Sequence, residues 1–354
     1  MGRIRVLVAE DSLTVRKRLV ETLESDPELQ VVSEAEDGKS AIELCQSLRP
    51  DVMTLDMMMP GMTGLAVTEY VMAYCPTPIL IVSASVNRGE LFKTYEALAA
   101  GALDVLEKPL AETEIKHWEG KLISTVKLIS RIKVITHPRA RLSAAQQGLD
   151  GPGLSPGGGL SRPQVVAIGA STGGPGAVLD ILRGLPADFP LPVLVVIHLA
   201  EPFAQALAEW LDGLSPIRVR YAVEGEPLPA NGVLLAPPGR HLILRQGHLH
   251  LLAEPERHSC RPSVDVLFES LAREMASSSI VCLLTGMGKD GARGLLASRR
   301  AGAVTIAQDE ATSVVFGMPG EAIRLGAAQR VLPIEAIAPA LTALTHGIER
   351  RRRA

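Results

Sequence analysis

The chain lacks the features of a membrane-spanning protein, a secreted protein or a nucleic-acid-binding protein. None of its apolar runs approaches the ~18 residues needed to cross a bilayer, and the first residues, MGRIRVLVAEDS, contain no apolar signal-peptide segment. The formal net charge of the 354 residues is -3, which gives no general attraction to nucleic acid or to an anionic membrane. We therefore expect no membrane insertion and no nucleic-acid partner.

Cysteine is also scarce. The four cysteines show no C-x-x-C spacing, and two of them, Cys45 and Cys282, lie within apolar stretches; the others are Cys75 and Cys260. This pattern does not resemble a disulfide framework. We interpret all four as reduced thiols and expect a cytoplasmic protein.

The composition changes sharply in the middle of the chain. The stretch 137–163 is rich in Gly, Pro, Ser and Ala and has almost no apolar periodicity, which is typical of a flexible linker. We predict a first domain at 1–136, the linker at 137–163, a second domain at 164–348 and a basic tail at 349–354. Both halves alternate short apolar runs with helix-period segments, so we predict an α/β protein with two doubly wound domains and mainly parallel sheets.

Polar side chains follow the predicted strands of the first half. Glu10 and Asp11 follow the first strand, Asp56 the third, Ser83 the fourth and Lys108 the fifth. The carboxyl ends of parallel strands share one crevice, where clustered carboxylates need a cation such as Mg²⁺. A lysine and a hydroxyl there suit a phosphoryl group, and an aspartate is a credible phosphoryl acceptor. Each acid alone is more often a solvated loop residue or a helix cap, but the whole set favours a phosphorylation site.

The segments VLVAEDS, PDVMTLDMMMPGMTGL, PILIVSAS and ALDVLEKP resemble a response-regulator receiver domain, which has a flavodoxin-like fold. The resemblance implies that Asp56 is the phosphorylated residue and that Ser83 and Lys108 are the switch residues. It also implies a Mg²⁺ site formed by Glu10, Asp11, Asp56 and the carbonyl of Met58.

The first half also departs from this family. Its acidic pair is Glu-Asp instead of the usual Asp-Asp, and Val105 stands where an aromatic residue often follows the aspartate of the fifth strand. The segment 112–135 carries an amphipathic apolar stripe that predicts a helix packed on its own sheet. The stripe consists of Ile115, Trp118, Leu122, Val126 and Ile129.

Three residues of the second half each stand between a predicted strand and the following helix. They are Ser171, His198 and Asp290, and sheet geometry brings such positions together. A serine nucleophile needs a histidine base, and an aspartate orients and stabilises that histidine, so the three predict a hydrolytic triad. Their order along the chain differs from the known orders and carries no weight. The loop TGMGKDG and the amides after Ser171 could supply oxyanion donors.

Other interpretations of these segments are weaker. The segment GASTGG has Ser171 where a dinucleotide fingerprint needs its second glycine, and no Gly-Lys-Ser/Thr is present, so nucleotide binding is disfavoured. Alone, His198 would often be a satisfied core histidine. The HLH segment at 248–250 predicts an exposed β-hairpin instead of a metal site, because no third ligand has suitable spacing.

The second half resembles the catalytic domain of the chemotaxis methylesterases throughout its length, and we expect a Rossmann-like three-layer fold. The matching segments are IGASTGGP, IHLAEPFAQALAEWL, LAPPGRHL, RPSVDVLFESLA, LTGMGKDGARGL and DEATSVVFGMPGEAI. The resemblance implies Ser171 as nucleophile, His198 as base, Asp290 as its partner, and Thr172 and Met287 lining the site, with the Met287 amide as an oxyanion donor. One departure is HLAEPF, where the family usually has His-Met-Pro.

The two resemblances together imply a phosphorylation-activated protein-glutamate methylesterase that also deamidates glutamine. Its substrates would be methyl-accepting chemoreceptors and its phosphodonor a histidine kinase. Mg²⁺ would serve the receiver alone, with no cofactor for the ester chemistry. We expect the receiver to cover the active-site crevice until Asp56 is phosphorylated. The alternatives are a non-catalytic regulator that acts as a phosphate sink, or the same esterase in a pathway that does not control motility.

Overall fold

The computed structural model describes residues 2–84, 88–109, 115–132, 134, 163–199 and 201–346. The chain divides into two compact units, Met1–Leu154 and Ser155–Ala354. The predicted linker, except Pro163, the basic tail at 349–354 and both ends of the predicted segment 112–135 lie outside the described residues, so the domain limits stay a prediction. No helix within the described ranges has the length and apolar character that a bilayer crossing requires.

The first unit is built on a five-stranded parallel sheet of order β2-β1-β3-β4-β5. Strands β3 and β4 are buried at every residue, as expected when helices cover both faces of a parallel sheet. The strands are β1 Ile4–Ala9, β2 Leu29–Ala35, β3 Val52–Leu55, β4 Ile79–Ser83 and β5 Asp104–Glu107, and the helices are α1 Leu13–Glu24, α2 Gly38–Leu48, α3 Gly64–Tyr74, α4 Arg88–Ala99 and α5 Ile115–Ile129.

Helix α5 carries the predicted apolar stripe. Trp118, Leu122, Val126 and Ile129 are all buried, and the helix packs against α1 and β4 of its own unit. The Trp118 ring also donates a hydrogen bond to the Glu107 carbonyl at 2.5 Å. The described part of this helix therefore packs on its own sheet, and it begins at Ile115 and ends at Ile129.

The second unit contains a seven-stranded parallel sheet of order β14-β13-β12-β6-β7-β9-β8. The strands are β6 Val165–Ala170, β7 Pro192–Ile197, β8 Val219–Tyr221, β9 Gly232–Leu235, β10 His241–Arg245, β11 His248–Leu252, β12 Ser279–Leu283, β13 Val304–Gln308 and β14 Arg330–Leu332. The helices are α6 Gly174–Gly184, α7 Glu201–Leu214, α8 Val264–Glu274, α9 Ala292–Arg300, α10 Met318–Arg324 and α11 Ile334–His346, with a short 3-10 helix at Ala276–Ser278.

The strand order of this second sheet places a crevice at the carboxyl end of β6. The chain passes from β6 to β7 on one side and later returns to β12 on the other side. Ligands of open α/β sheets bind where the strand order reverses in this way. Helix α6 packs with α7 and α11, while α8 packs with α9, and α9 with α10. The prediction of two doubly wound α/β domains with mainly parallel sheets is confirmed.

Strands β10 and β11 form a separate antiparallel hairpin. The two residues between them, Gln246 and Gly247, both have positive φ (52° and 75°), as a tight hairpin turn requires. His248 and His250 lie on β11, where His250 Nδ1 is 2.8 Å from the Glu224 carboxylate. The hairpin predicted from the HLH segment is confirmed, but the expectation that it is exposed is wrong, because β10 is buried from His241 to Leu244.

Candidate active site

Ser171 directly follows β6, and two hydrogen bonds fix its turn to the end of β12. The Ser171 amide donates to the Thr285 carbonyl at 3.0 Å, and the Thr285 hydroxyl donates to the Thr172 carbonyl at 2.9 Å. Gly173 then has φ 75°, and a Cβ there would lie 2.5 Å from Val314. Only glycine fits this reversal, which lets α6 begin at once and leaves Ser171 at the carboxyl end of the strand.

Gly286 lets the loop after β12 approach Ser171 closely. A Cβ at Gly286 would lie 2.8 Å from Ser171 Cβ, nearer than side-chain atoms come to one another. The Gly286 amide donates to the Val315 carbonyl at 3.0 Å, and its carbonyl accepts from the Met318 amide at 2.9 Å. The backbone of this loop therefore forms a fixed wall beside the serine.

His198 follows β7, the strand next to β6. Its amide donates to the Ala170 carbonyl at 3.1 Å, so the histidine is attached beside the residue that precedes Ser171. Its ring nitrogen Nε2 lies 2.9 Å from Asp290 Oδ2, and Nδ1 lies 3.5 Å from Cys260 Sγ. A carboxylate only accepts hydrogen bonds, so Nε2 carries a proton and Nδ1 is the nitrogen available as a base.

The link between the serine and the histidine is not formed in this structure. Among the described residues, no hydrogen bond joins Ser171 Oγ to His198, whereas the bond between His198 and Asp290 is in place. The fold thus brings all three predicted residues to neighbouring strand ends and pairs two of them. The catalytic triad stays a prediction.

Asp290 is almost fully buried and receives five hydrogen bonds. One comes from the His198 ring, and two come from the first amides of α8, Val264 and Asp265. The others come from the Ser263 hydroxyl and from the Gly291 amide at the start of α9. A carboxylate is favoured at helix N-termini because the first amides lack partners within the helix. Burial opposes ionisation, but these bonds outweigh it and hold the pKa of Asp290 below its usual value.

The same contacts set the proton affinity of His198. Burial by itself lowers the pKa of this imidazole, but the hydrogen bonds with Asp290 and Cys260 outweigh burial and raise the pKa to about 9. The protonated ring is stabilised because it lies between the Asp290 carboxylate and the Cys260 sulfur. His198 is therefore mostly imidazolium at neutral pH in this arrangement.

The two predicted lining residues lie in different loops of the second unit. Thr172 is buried in the turn after β6, whereas the Met287 side chain is 52% exposed in the loop after β12. Within the described part of the chain, the Met287 amide makes no hydrogen bond. This amide next to Gly286 is therefore available to an oxyanion.

The first unit brings the predicted acidic residues together at the carboxyl ends of β1 and β3. Oxygen atoms of Glu10, Asp11 and Asp56 lie within 4.8 Å of one another. The Lys108 ammonium is 2.7 Å from Glu10 Oε2 and 3.1 Å from Asp56 Oδ2. Burial, which is partly offset by Lys108, raises the pKa of Asp56, and burial together with the Asp56 charge raises the pKa of Glu10. The single positive charge of Lys108 thus cannot balance the negative charges of three carboxylates.

This donor set fits a hard divalent cation. Carboxylate oxygens are the ligands that Mg²⁺ prefers, and a cation would offset the burial that raises the pKa of Asp56 and the burial and repulsion that raise the pKa of Glu10. Asp11 is exposed and gives the site an open side. Ser83 is buried at the end of β4, where its carbonyl accepts from the Lys108 amide at 2.9 Å. The Met58 side chain is exposed, and its predicted carbonyl ligand stays a prediction.

Sequence reasoning missed the residues that hold Asp290 and contact His198. Ser263 and Asp265 bond Asp290, and Cys260 contacts His198. The Asp265 carboxylate is itself fully buried and accepts from the Gly294 amide at 2.6 Å, which ties α8 to α9. The Ser-x-Asp pattern before an apolar run signals a helix start and could have drawn attention to Ser263 and Asp265. Nothing in the local sequence signals the contact of Cys260.

Comparisons with known proteins match both halves of the chain to known families. Residues 166–341 match the CheB methylesterase family model, and residues 6–118 match the response regulator receiver domain model. The chain is 44% identical to protein-glutamate methylesterase/protein-glutamine glutaminase 2 of Anaeromyxobacter dehalogenans, with 97% of each protein covered. It is 42% identical to protein-glutamate methylesterase/protein-glutamine glutaminase of Nitrosospira multiformis, over 96% of this chain and 97% of that protein.

A similar solved structure is the crystal structure of the Thermotoga maritima CheB methylesterase catalytic domain. The two sequences are 38% identical, and the alignment covers 52% of this chain and 100% of the Thermotoga maritima chain, with a TM-score of 0.49. Two matched domains and relatives aligned over nearly the full length assign the family. The chain belongs to the protein-glutamate methylesterase/protein-glutamine glutaminase family, with a response regulator receiver domain ahead of a CheB methylesterase domain.

Proposed function

We propose that this protein hydrolyses the methyl esters of glutamate side chains on methyl-accepting chemoreceptors and is activated by phosphorylation of Asp56. The observation that carries the proposal is the hydrogen-bonded His198–Asp290 pair beside Ser171, at the crevice where the strand order of the second sheet reverses. The printed names of the relatives support the ester substrate, and also glutamine deamidation as a second activity.

The ester chemistry follows from the two sides of the His198 ring. Ser171 Oγ attacks the ester carbonyl carbon and gives its proton to Nδ1, while Asp290 holds Nε2–H and stabilises the imidazolium. The Met287 amide donates to the oxyanion. Methanol leaves with the proton from Nδ1, and water then cleaves the acyl-enzyme to free glutamate and restore Ser171. With glutamine as substrate, ammonia leaves in place of methanol.

Control by phosphorylation rests on the acidic cluster of the first unit. Mg²⁺ held by Glu10, Asp11, Asp56 and the Met58 carbonyl would neutralise charge on the incoming phosphoryl group. Asp56 accepts the phosphoryl group from a histidine kinase, and Lys108 and Ser83 then bind its oxygens. We propose that the receiver covers the crevice before this event. A coupling of about 1–3 kcal/mol gives about 5- to 150-fold activation.

The test of this function is methanol release from methylated chemoreceptors, with and without a small-molecule phosphodonor. We expect the phosphodonor to raise the rate about 5- to 150-fold for the wild-type protein. The Asp56→Asn variant should keep only the basal rate, because the amide cannot take the phosphoryl group. The matched control is Glu21→Gln, an exposed acid on α1, which should respond like the wild type.

Two outcomes would contradict the proposal in different ways. Activation that persists in Asp56→Asn would move the phosphorylation site elsewhere. Receiver dephosphorylation without methanol release, and without labelling by a fluorophosphonate, would favour a phosphate sink. Methanol release is also measured with receptors from pathways that do not control motility. The comparison identifies which receptors are substrates.

The rate of ester hydrolysis should rise with pH up to about 9. His198 must be unprotonated at Nδ1 to accept the serine proton, and its pKa is raised to about 9. Below that pH, kcat/KM should therefore fall about tenfold for each unit of pH, since only the neutral ring is active. Spontaneous ester hydrolysis is subtracted with the Ser171→Ala variant as a blank. A profile that is already flat from pH 7 to 9 would show that the ring is neutral in the working enzyme.

A further inference from the structure

Cys260 completes a line of three side chains with His198 and Asp290. Its Sγ lies 3.5 Å from His198 Nδ1, on the opposite side of the ring from the bond to Asp290. Sulfur, imidazole and carboxylate in this order are the parts of a nucleophilic thiol, its base and the group that orients the base. The ester mechanism above uses His198 and Asp290 and gives the thiol no task.

The backbone holds Cys260 in this place. Its amide and carbonyl exchange two hydrogen bonds with Arg257, at 3.0 and 3.1 Å. Its thiol can also donate to the His258 carbonyl at 3.3 Å. Arg257 is in turn paired with Glu269 on α8, with nitrogen-to-oxygen distances of 2.6 and 2.7 Å. The sulfur thus stands in a fixed loop against the imidazole.

The other three cysteines have a different environment. Cys45, Cys75 and Cys282 are fully buried, whereas Cys260 is partly exposed. Burial raises the pKa of Cys75 and of Cys282 to about 12, and only the thiolate form of cysteine is nucleophilic. Cys260 is therefore the cysteine that combines solvent access with a base.

We infer that Cys260 is a modification site for small disulfides, and that the mixed disulfide formed there stops ester hydrolysis. In its neutral form His198 takes the thiol proton at Nδ1, and the thiolate attacks one sulfur of the disulfide. The Cys260 Sγ–S bond forms, and the original S–S bond breaks with its electron pair on the leaving sulfur. The proton on Nδ1 passes to that sulfur or, when the leaving group is an acidic aromatic thiolate, to water. The products are the mixed disulfide and one free thiol, and a thiol reductant reverses the reaction.

Esterase activity should be lost because Cys260 faces His198 Nδ1. Nδ1 is the nitrogen that must receive the proton of Ser171, and the new group on Cys260 would stand against it. This second part of the inference rests on the proposed function, whereas the reactivity of the thiol does not. The two parts are therefore measured separately.

The experiment treats the full-length protein with the aromatic disulfide 5,5′-dithiobis(2-nitrobenzoic acid). Released thiolate and peptide mass identify the modified cysteine, and methanol release gives the ratio of treated to untreated activity. We expect one thiol, Cys260, to react at least tenfold faster than the rest. Activity should fall in parallel to below a tenth and return with dithiothreitol. The Ser171→Ala variant should be labelled like the wild type.

Two sets of variants test the role of each partner. In Cys260→Ser and Cys260→Ala, rapid labelling should disappear, and whatever ester hydrolysis remains should have a treated-to-untreated ratio near one. In His198→Gln, labelling of Cys260 should slow at least tenfold because the base is lost. Since labelling needs no esterase activity, the His198→Gln protein remains informative.

Several results would overturn the inference. Labelling of Cys260 that is no faster than labelling of the buried cysteines contradicts it. So does full labelling without loss of activity, and so does inhibition of both Cys260 variants as strong as that of the wild type. An untreated wild-type protein without ester hydrolysis would instead contradict the proposed function, and the labelling rates would still decide whether Cys260 is reactive.

Discussion

Ester hydrolysis by the Ser171→Ala variant is expected to fall about a million-fold in kcat, to the level that binding and oxyanion donors alone sustain. The reason is that alanine offers no oxygen to form the acyl-enzyme. Methanol release under saturating methylated receptor measures the loss. The variant should also lose all labelling by a fluorophosphonate.

The control for this result is Ser278→Ala. Ser278 precedes β12, and its carbonyl accepts from the Gln164 amide just before β6. It therefore lies at the amino ends of these strands, whereas Ser171 lies at their carboxyl ends. We expect this variant to keep the wild-type rate. Near-normal hydrolysis by Ser171→Ala would reject Ser171 as the nucleophile and with it the mechanism proposed above.

The Asp290→Asn variant is expected to lose about 10⁴-fold in kcat, by analogy with the loss of charge in other hydrolytic triads. All five groups that bond Asp290 are donors, so an amide nitrogen at either oxygen position would face donors instead of accepting from them. The imidazolium of His198 would also lose its negative partner. Kinetics of methanol release give the first effect.

Stability gives a second and independent effect of Asp290→Asn. The remaining amide oxygen can serve the donors at only one of the two positions, so at least one amide at the start of α8 loses its acceptor. An unsatisfied buried polar group costs about 1–3 kcal/mol. The thermal midpoint of the second unit should fall by about 2–4 °C for each kcal/mol. Asp188→Asn, at an exposed turn, should change neither property. Wild-type kcat in Asp290→Asn would remove Asp290 from the mechanism.

The fold was predictable because its signals are local. Apolar runs such as VVAIG in β6 and VLVVI in β7 end in polar residues, and parallel sheets bring such ends to one edge. The same rule brought Glu10, Asp56 and Lys108 together without knowledge of the strand order.

The contacts around the site were not predictable because they join distant segments. The sulfur of Cys260 and the ring of His198 are 62 positions apart, and Ser263 and Asp290 are 27 positions apart. No periodicity in either segment encodes these distances. The contact between Ser263 and Asp290 follows from how the start of α8 packs against the start of α9. The ring nitrogen that faces Asp290 was likewise unpredictable, because it depends on where the carboxylate is held.

The contrast between Ser171 and Asp290 guides the choice of an inactive protein for capturing receptors. The Ser171 hydroxyl makes no hydrogen bond with the described residues, so its removal leaves the turn after β6 and the start of α6 intact. Asp290 anchors the starts of α8 and α9 as well as His198. A stalled complex with an uncut methyl ester is therefore best sought with Ser171→Ala. This variant lacks the nucleophilic oxygen but preserves the surface that a receptor helix would meet.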